Sequence, residues 1–557
     1  MRKFSAKVLK SDARQNCSHI ARRRSVCCLA IIFLWNLSPA AAQVWTDFFA
    51  TSAPGIETID AVALAPDGAI AVAGAYNAAF SWRGAALPAT EGQDVWLSCM
   101  NPDGEVRWAK SGGSILDDEV AAVVADADGN IIVAGSFWLT GTFDGLTLHA
   151  GDNPKALFLL KYSPEGQLLW GRSIAGTGIK GLGGLATDPA GNVYAAGFFG
   201  GALQVGDSTL QAEGATDVFV TKLSPDGQWN WAFREGKIAD TRAVAITWTV
   251  ENQVLIAGFF NKNTHIAGQE FTANTSDRDA FLAAYAAETG LPRWAVKAGG
   301  VFDDDITALA ADEQGRIYAV GYLVGVMTLS PTLAIQSATG IPDFFILQYS
   351  GDGIPLRARA LGGAQTNLAT GIAVAGGRVL VGGHYQGAMM WDGISLSNSA
   401  AFAGFVAAFD DQLQGLWAQR FPAAQGFFVN NMALAPDGRL WCAGSFAGQA
   451  DLPQGQFAAG GAFDGFVMST ADPVPVQQEL AAPTWRVFPN PAADFIVIEN
   501  FTPGERLRVF SASGLEMLGF ERIGNVINIA VWPPGLYYLE VTGDETRSLL
   551  PFVKMRR

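Results

Sequence analysis

Cysteine and histidine are scarce in this 557-residue chain, with five and four copies. Cys17, Cys27 and Cys28 lie in the first 28 residues, leaving Cys99 and Cys442 far apart. No disulfide framework follows from that count, and two buried free thiols are expected. His149, His265 and His384 are scattered without metal-ligand spacing. No Gly-x-Ser-x-Gly elbow and no phosphate-binding loop occurs. Charged residues make up only 16%, and the apolar run Val26–Trp35 is too short to span a bilayer as a helix. The chain therefore lacks the signatures of a disulfide scaffold, a zinc site, a P-loop enzyme and an α/β-hydrolase.

That apolar run follows a basic stretch ending in Arg22, Arg23 and Arg24 and precedes Ala40-Ala41-Ala42. Cationic start, short apolar segment and small residues predict a secretory signal peptide over residues 1–42. The length of the basic stretch points to a start codon further downstream. Removing eight Lys/Arg and one Asp with the leader takes the net charge from −15 to −22. Such acidity disfavours nucleic acid and anionic membrane surfaces as partners.

What the sequence has in abundance is glycine, 64 copies, and tryptophan, 16 copies. Tight turns between short strands follow, hence an all-β chain. One landmark, apolar-x-x-Gly, recurs at Gly74, Gly135, Gly197, Gly258, Gly321, Gly383 and Gly444, spaced 61–63 residues apart. A second keeps step: Trp45, Trp108, Trp170, Trp231, Trp294 and Trp417, with Arg357 at the remaining place. Pro66-Asp67-Gly68, Asp128-Gly129-Asn130 and Pro225-Asp226-Gly227 supply hairpin turns. Each repeat then holds four antiparallel strands, a to d, and seven such repeats predict a seven-bladed β-propeller over residues 43–472. The first strand, near Trp45, lacks strands a to c before it, while the seventh repeat stops at Asp472 without a strand d. The two ends complement each other, so the N-terminal strand is expected to close the ring.

These copies, such as Asp126-Ala127-Asp128-Gly129-Asn130-Ile131-Ile132-Val133-Ala134-Gly135-Ser136-Phe137, resemble the SBBP-type bacterial β-propeller repeat. The resemblance covers roughly residues 44–470 and implies a fold without a single activity.

A proline-stiffened linker is expected over 473–484. Alternating segments at 495–498, 507–510, 526–529, 537–541 and 549–553 then predict a small Ig-like β-sandwich over 485–557. Val487-Phe488-Pro489-Asn490-Pro491 with Asp494, Ser513-Gly514, Pro534-Gly535-Leu536-Tyr537 and a basic tail are similar to the type A sorting domain of the type IX secretion system of Bacteroidota. Pro489, Asn490, Pro491, Asp494, Gly514, Gly535 and Tyr537 carry the motif. The resemblance implies export across the outer membrane, the secretion machinery as partner through 485–557, and a secreted or cell-surface destination. No membrane-spanning segment is expected in the mature chain, which is expected to be monomeric.

Strand direction places the long b–c connections and the d–a loops on one face, the expected binding face. There Asp117-Asp118-Glu119 and Asp303-Asp304-Asp305 form an acidic rim. One reading is a Ca²⁺ site of several carboxylates; the stronger is that these side chains cap loop amides. The run Asp126-Ala127-Asp128-Gly129-Asn130 reads as a turn rather than a calcium loop. Aromatics two residues past the landmark glycine (Tyr76, Phe137, Phe199, Phe260, Tyr385, Phe446) read as packing between blades. No cofactor and no catalytic constellation emerges. The expected function is a binding or adhesion propeller for an unidentified extracellular glycan or protein. A polysaccharide hydrolase or lyase, whose paired carboxylates would come from different blades, and a structural surface spacer are the alternatives.

Overall fold

The computed structural model describes residues 44–470 apart from 152, 239, 274–276, 399–400 and 436. In the C-terminal module it describes 486–488, 492–499, 506–511, 517, 522–523, 525–542 and 547–555. The expected leader and linker, and Pro489, Asn490, Pro491 and Gly514 of the motif, lie outside the described residues. Every described element is a β-strand, and none is a helix long and apolar enough to cross a membrane.

Seven antiparallel sheets follow one another in sequence, each with strands a to d. Blade 2 shows the plan: a is Glu119–Ala125, b Ile131–Trp138, c Lys155–Tyr162 and d Leu168–Gly176. Strands b and c are buried along almost their whole length, as expected for sheets covered on both faces. Blade 7 takes a, b and c from Gly426–Leu434, Leu440–Ala447 and Asp464–Thr470, and d from Trp45–Ala50. The first strand thus closes the ring, with Ala50 opposite Phe466 and Phe48 opposite Met468. Phe48 adds ring contacts to Phe457 at 4.3 Å and Phe466 at 5.7 Å.

The landmark glycine has a steric cause. Strand a carries a bulge in most blades, such as that between Val120 and Ala122. The bulge drives a carbonyl against strand b, and a Cβ on Gly135 would collide with the Glu119 carbonyl oxygen. The same collision holds at the other six landmarks, with the matching strand-a carbonyl or, in blade 1, with the Thr58 carbonyl ahead of the strand. The aromatics two residues further on are fully buried.

The second landmark fastens neighbouring blades. Trp108 donates its indole N–H to the Pro164 carbonyl (2.9 Å), Trp170 to Pro225 (3.0 Å), Trp231 to Glu288 (3.2 Å) and Trp294 to Gly351 (2.9 Å). Each acceptor lies in the c–d turn of the next blade. Arg357 does the same through Gln412 Oε1 at 2.5 Å. Trp45 does not belong to this series. A register shift between Trp45 and Asp47 places Asp47 opposite Ser469, where Trp170 stands opposite Lys161 in blade 2. Trp45 packs edge-on to Phe421 at 5.0 Å instead.

The b–c connections are not open loops. Each folds into a further hairpin, Thr140–Phe143 with Leu146–His149 in blade 2, turning at Asp144 and Gly145 with φ of 48° and 83°. These hairpins extend strand d of the preceding blade: Thr142 pairs with Gly113, Gln204 with Ala175, and Met389 with Gly363. They run along the outer rim, leaving the d–a loops to shape the face around the channel.

The C-terminal module is the expected sandwich, with one sheet of four strands and one of three. Tyr537, 5% exposed, sits in its core with Ile496, Val509 and Leu539, and its hydroxyl donates to Pro533 O at 2.9 Å. The Asp494 carbonyl accepts from Ile529 N at 2.8 Å, and Gly535 opens the strand Gly535–Thr542. Lys554 is buried and donates to the Ala493 and Met555 carbonyls.

Candidate functional site

Strand a lines the central channel, about 390 Å³, mostly with small residues such as Ala121, Gly183, Ala245 and Gly371. Polar straps cross between adjacent blades. Thr187 Oγ1 donates to Ala125 O at 2.9 Å and Thr307 Oγ1 to Ala369 O at 2.7 Å.

At the d–a end, over blades 1 to 3, the channel mouth widens into a cavity of about 570 Å³. Its wall carries Thr58, Asp60, Gln93, Glu119, Ser136, Lys155, Lys180 and Phe198. Glu119 accepts from Lys155 Nζ and Ser136 Oγ, both at 3.0 Å. Burial works against its charge, yet the Lys155 and Ser136 bonds hold it below the usual carboxylate range. Lys155 also lies 5.5 Å from the Trp138 ring centroid. Lys180 is buried and rests on neutral acceptors, the carbonyls of Lys155 and Gly178, both at 2.8 Å. Burial, with the Lys155 charge, brings Lys180 down to about 8. Asp60 accepts from Thr58 Oγ1 at 2.8 Å; burial, with the Glu119 charge adding to it, pushes it up to about 6. The mouth thus joins a firmly charged Glu119–Lys155 pair to an acid and an amine both moved toward neutrality.

From the cavity edge onward, blades 3 to 6 present aromatics one residue past the landmark glycine. Arg242 lies 4.4 Å from the Phe198 ring centroid, and Arg278 lies 4.7 Å from that of Phe259. His384 packs edge-on to Phe402 and Phe428 at 5.2 and 5.0 Å. Its burial lowers it to about 4, so it is neutral at physiological pH.

The six acids of the predicted rim fall at two separate blade junctions. Asp117 accepts from Gln93 N at 3.1 Å. Asp118 is fully buried and caps Ser114 and the Trp138 amide (3.1 Å); its burial raises it to about 6. Of these three, only Glu119 reaches the cavity wall. Asp303 pairs with Arg278 at 3.2 Å. Asp304 and Asp305 are buried, and desolvation pushes them up to about 8 and 7. Among the described residues no group of three or more Asp, Glu, His or Cys side chains is placed to hold a metal ion. The calcium-like run is a turn. Asp126 caps the Asp128 and Asn130 amides at 3.0 and 2.9 Å and forms a buried pair with Lys161 at 2.7 Å. Cys99 and Cys442 are free and buried.

Sequence reasoning missed Asp60, Lys155 and Lys180 as one site. The signal was available one column past the landmark glycine. There Ala75, Ser136 and Phe198 line the cavity beside columns already read as structural.

Seven four-stranded sheets around a channel, latched blade to blade and closed by the first strand, define a β-propeller repeat protein. No protein-family model matches the chain. It is 23% identical over 406 residues to the uncharacterized WD repeat-containing protein L264 of Acanthamoeba polyphaga mimivirus, covering 58% of this chain and 29% of that protein. It is 25% identical over 330 residues to the regulatory protein FlaEY of Caulobacter vibrioides, covering 55% and 34%. The chain spans about a third of the length of these curated relatives. Among solved structures, Sqt1 from Chaetomium thermophilum aligns over 92% of this chain and 99% of its own at 10% identity, with a TM-score of 0.37.

Proposed function

We propose that this protein is an exported binding propeller that takes a hydrophilic, glycan-type ligand at the mouth of its channel. The observation that carries this reading is the 570 Å³ cavity in which donors and acceptors from three blades converge beside Phe198. A cavity of this volume falls in the range that encloses small ligands. An aromatic ring at its edge suits the apolar face of a sugar, while Glu119, Lys155 and Lys180 suit its hydroxyl and acidic groups. Export rests on the leader-like residues 1–42 and on the SBBP-type and sorting-domain resemblances. They support a secreted or cell-surface destination in a member of the Bacteroidota, with type IX machinery acting through 485–557.

The experiment is a glycan and matrix-protein array probed with the purified protein, followed by calorimetry on each hit. Saturable binding that weakens tenfold or more in Glu119→Gln and Lys180→Met supports the reading. Equal binding by both variants overturns it.

A second reading, a polysaccharide lyase or hydrolase, is favoured by one observation: Asp60 and Lys180 are both shifted toward the neutral range where acid–base groups work. New polysaccharide ends released by the wild type, and by neither Asp60→Asn nor Lys180→Met, would select it.

A further inference from the structure

Two register positions meet at each blade junction: the strand-c residue of one blade, and the residue at or ahead of strand a of the next, that stand opposite the position two past the landmark glycine in their own blades. Some junctions give the acid they bury there a partner, although Asp304, which faces Asp279, keeps one unpartnered oxygen. Asp217 is paired with Arg234 at 3.1 Å, and Asp279 with Lys297 at 2.8 Å. Asp343 accepts from Asn367 Nδ2 at 3.0 Å. Asp94 keeps one unpartnered oxygen, but the Asp118 it faces is capped by Ser114 and Trp138.

The junction that closes the ring, between blades 7 and 1, differs. Its two positions are Asp464 and Glu57, both fully buried. Neither forms an ion pair among the described residues. Both Glu57 carboxylate oxygens and Asp464 Oδ1 are buried without a well-formed hydrogen bond, with the Ala53 amide near Glu57 and the Gly461 amide near Asp464; Asp464 Oδ2 accepts from Gly460 N at 3.0 Å. Ile56 bridges Phe463 in parallel and Glu57 N donates to Phe463 O at 3.0 Å, so the segments carrying the two acids run side by side. A third oxygen is close by. Asn77 Oδ1 accepts from Ile56 N at 2.8 Å, and a Cβ on Gly55 would run into Asn77 Oδ1 and lie 3.0 Å from Glu57 Oε1. Glycine at 55 leaves room beside Glu57 Oε1 and Asn77 Oδ1.

We infer that Glu57, Asp464 and Asn77 form a binding site for a hard divalent cation, Ca²⁺, at the seam of the ring. Two buried carboxylates with free lone pairs and an amide oxygen make an all-oxygen donor set, the chemistry that Ca²⁺ takes in preference to softer metals. Two carboxylates are few, so the affinity belongs to the weak class of about 10⁻⁴–10⁻³ M. The cation joins residues 407 positions apart in sequence, on strand c of blade 7 and the segment that starts blade 1. It is separate from the acidic rim at Asp117–Glu119 and Asp303–Asp305 and independent of the channel-mouth ligand.

The test uses the full chain at pH 8, titrated calorimetrically with CaCl₂ and melted in CaCl₂ or EGTA. The expected result is close to one Ca²⁺ per chain and a melting temperature about 2 °C or more higher in 10 mM CaCl₂. Glu57→Gln keeps the shape and removes the charge, so it should lose both responses, whereas Asp94→Asn should keep both. A wild type unmoved by 10 mM CaCl₂, with Glu57→Gln more stable than it at pH 8, overturns the site and leaves a shared proton between the two acids. An unchanged Ca²⁺ response in Glu57→Gln overturns it equally.

Discussion

Trp108 and Pro164 stand 56 residues apart, yet the indole N–H of one meets the carbonyl oxygen of the other at 2.9 Å. That contact ties strand d of blade 1 to the c–d turn of blade 2. Trp108→Phe keeps most of the ring packing and leaves the Pro164 carbonyl without its donor. The expected loss is about 1–2 kcal/mol in urea unfolding, and an unchanged midpoint would show that ring packing alone fastens the blades.

Gly135→Ala drives a methyl into the Glu119 carbonyl, where only backbone movement can make room. A cost above about 3 kcal/mol is expected, as for other forced overpacking. Gly268→Ala is the comparison. That site is open, with φ of 79°, so only the left-handed backbone is penalised, by about 1 kcal/mol. Similar thermal shifts in the two variants would refute the steric account of the landmark.

Asp304 links stability to pH. Burial, with the Asp279 charge adding to it, pushes it from 3.8 up to about 8. The folded chain keeps this proton up to about pH 8, while the unfolded chain releases it near pH 4. Its contribution is therefore complete below about pH 4 and lost as pH rises toward 8. Denaturant titrations from pH 4 to 8 should show wild type losing ground to Asp304→Asn by about 1 kcal/mol per pH unit. A constant difference across that range would place the ionised form in the fold.

Removing Val44–Ala50 strips strand d from blade 7 and exposes the edge of Asp464–Thr470. The truncated chain should elute as oligomers on size-exclusion chromatography. A synthetic peptide of residues 44–50 should return it to the monomer position, and a truncated chain already monomeric would contradict the closure role.

The ring was legible because one steric event repeats seven times. Each strand-a carbonyl presses on a glycine, and each latch needs a long donor, so both columns survive in the sequence. The place of Trp45 was not legible, since a bulge shifts register without changing composition. The rim hairpins were read as loops because their strands are only about four residues long, although Asp144-Gly145 is a hairpin turn signal. The mouth was hardest to see. Asp60, Glu119, Lys155 and Lys180 come from three blades and meet only when the ring curves. One clue was there: Lys180 stands at the register position that holds Glu57 and Asp304 at other junctions.

The rim hairpins overlap in one rotational sense, like tiles on a circular roof. Each tile covers the blade made before it, so a chain emerging from its N-terminus always ends in one blade whose outer edge is bare. That edge advances with synthesis and is never closed by local folding. Arg83, at the tip of the blade 1 hairpin, lies 3.8 Å from the ring centroid of Phe49 in the closing strand. The first tile therefore covers a strand made just before it, that strand waits for Asp464–Thr470, and assembly ends where the chain began.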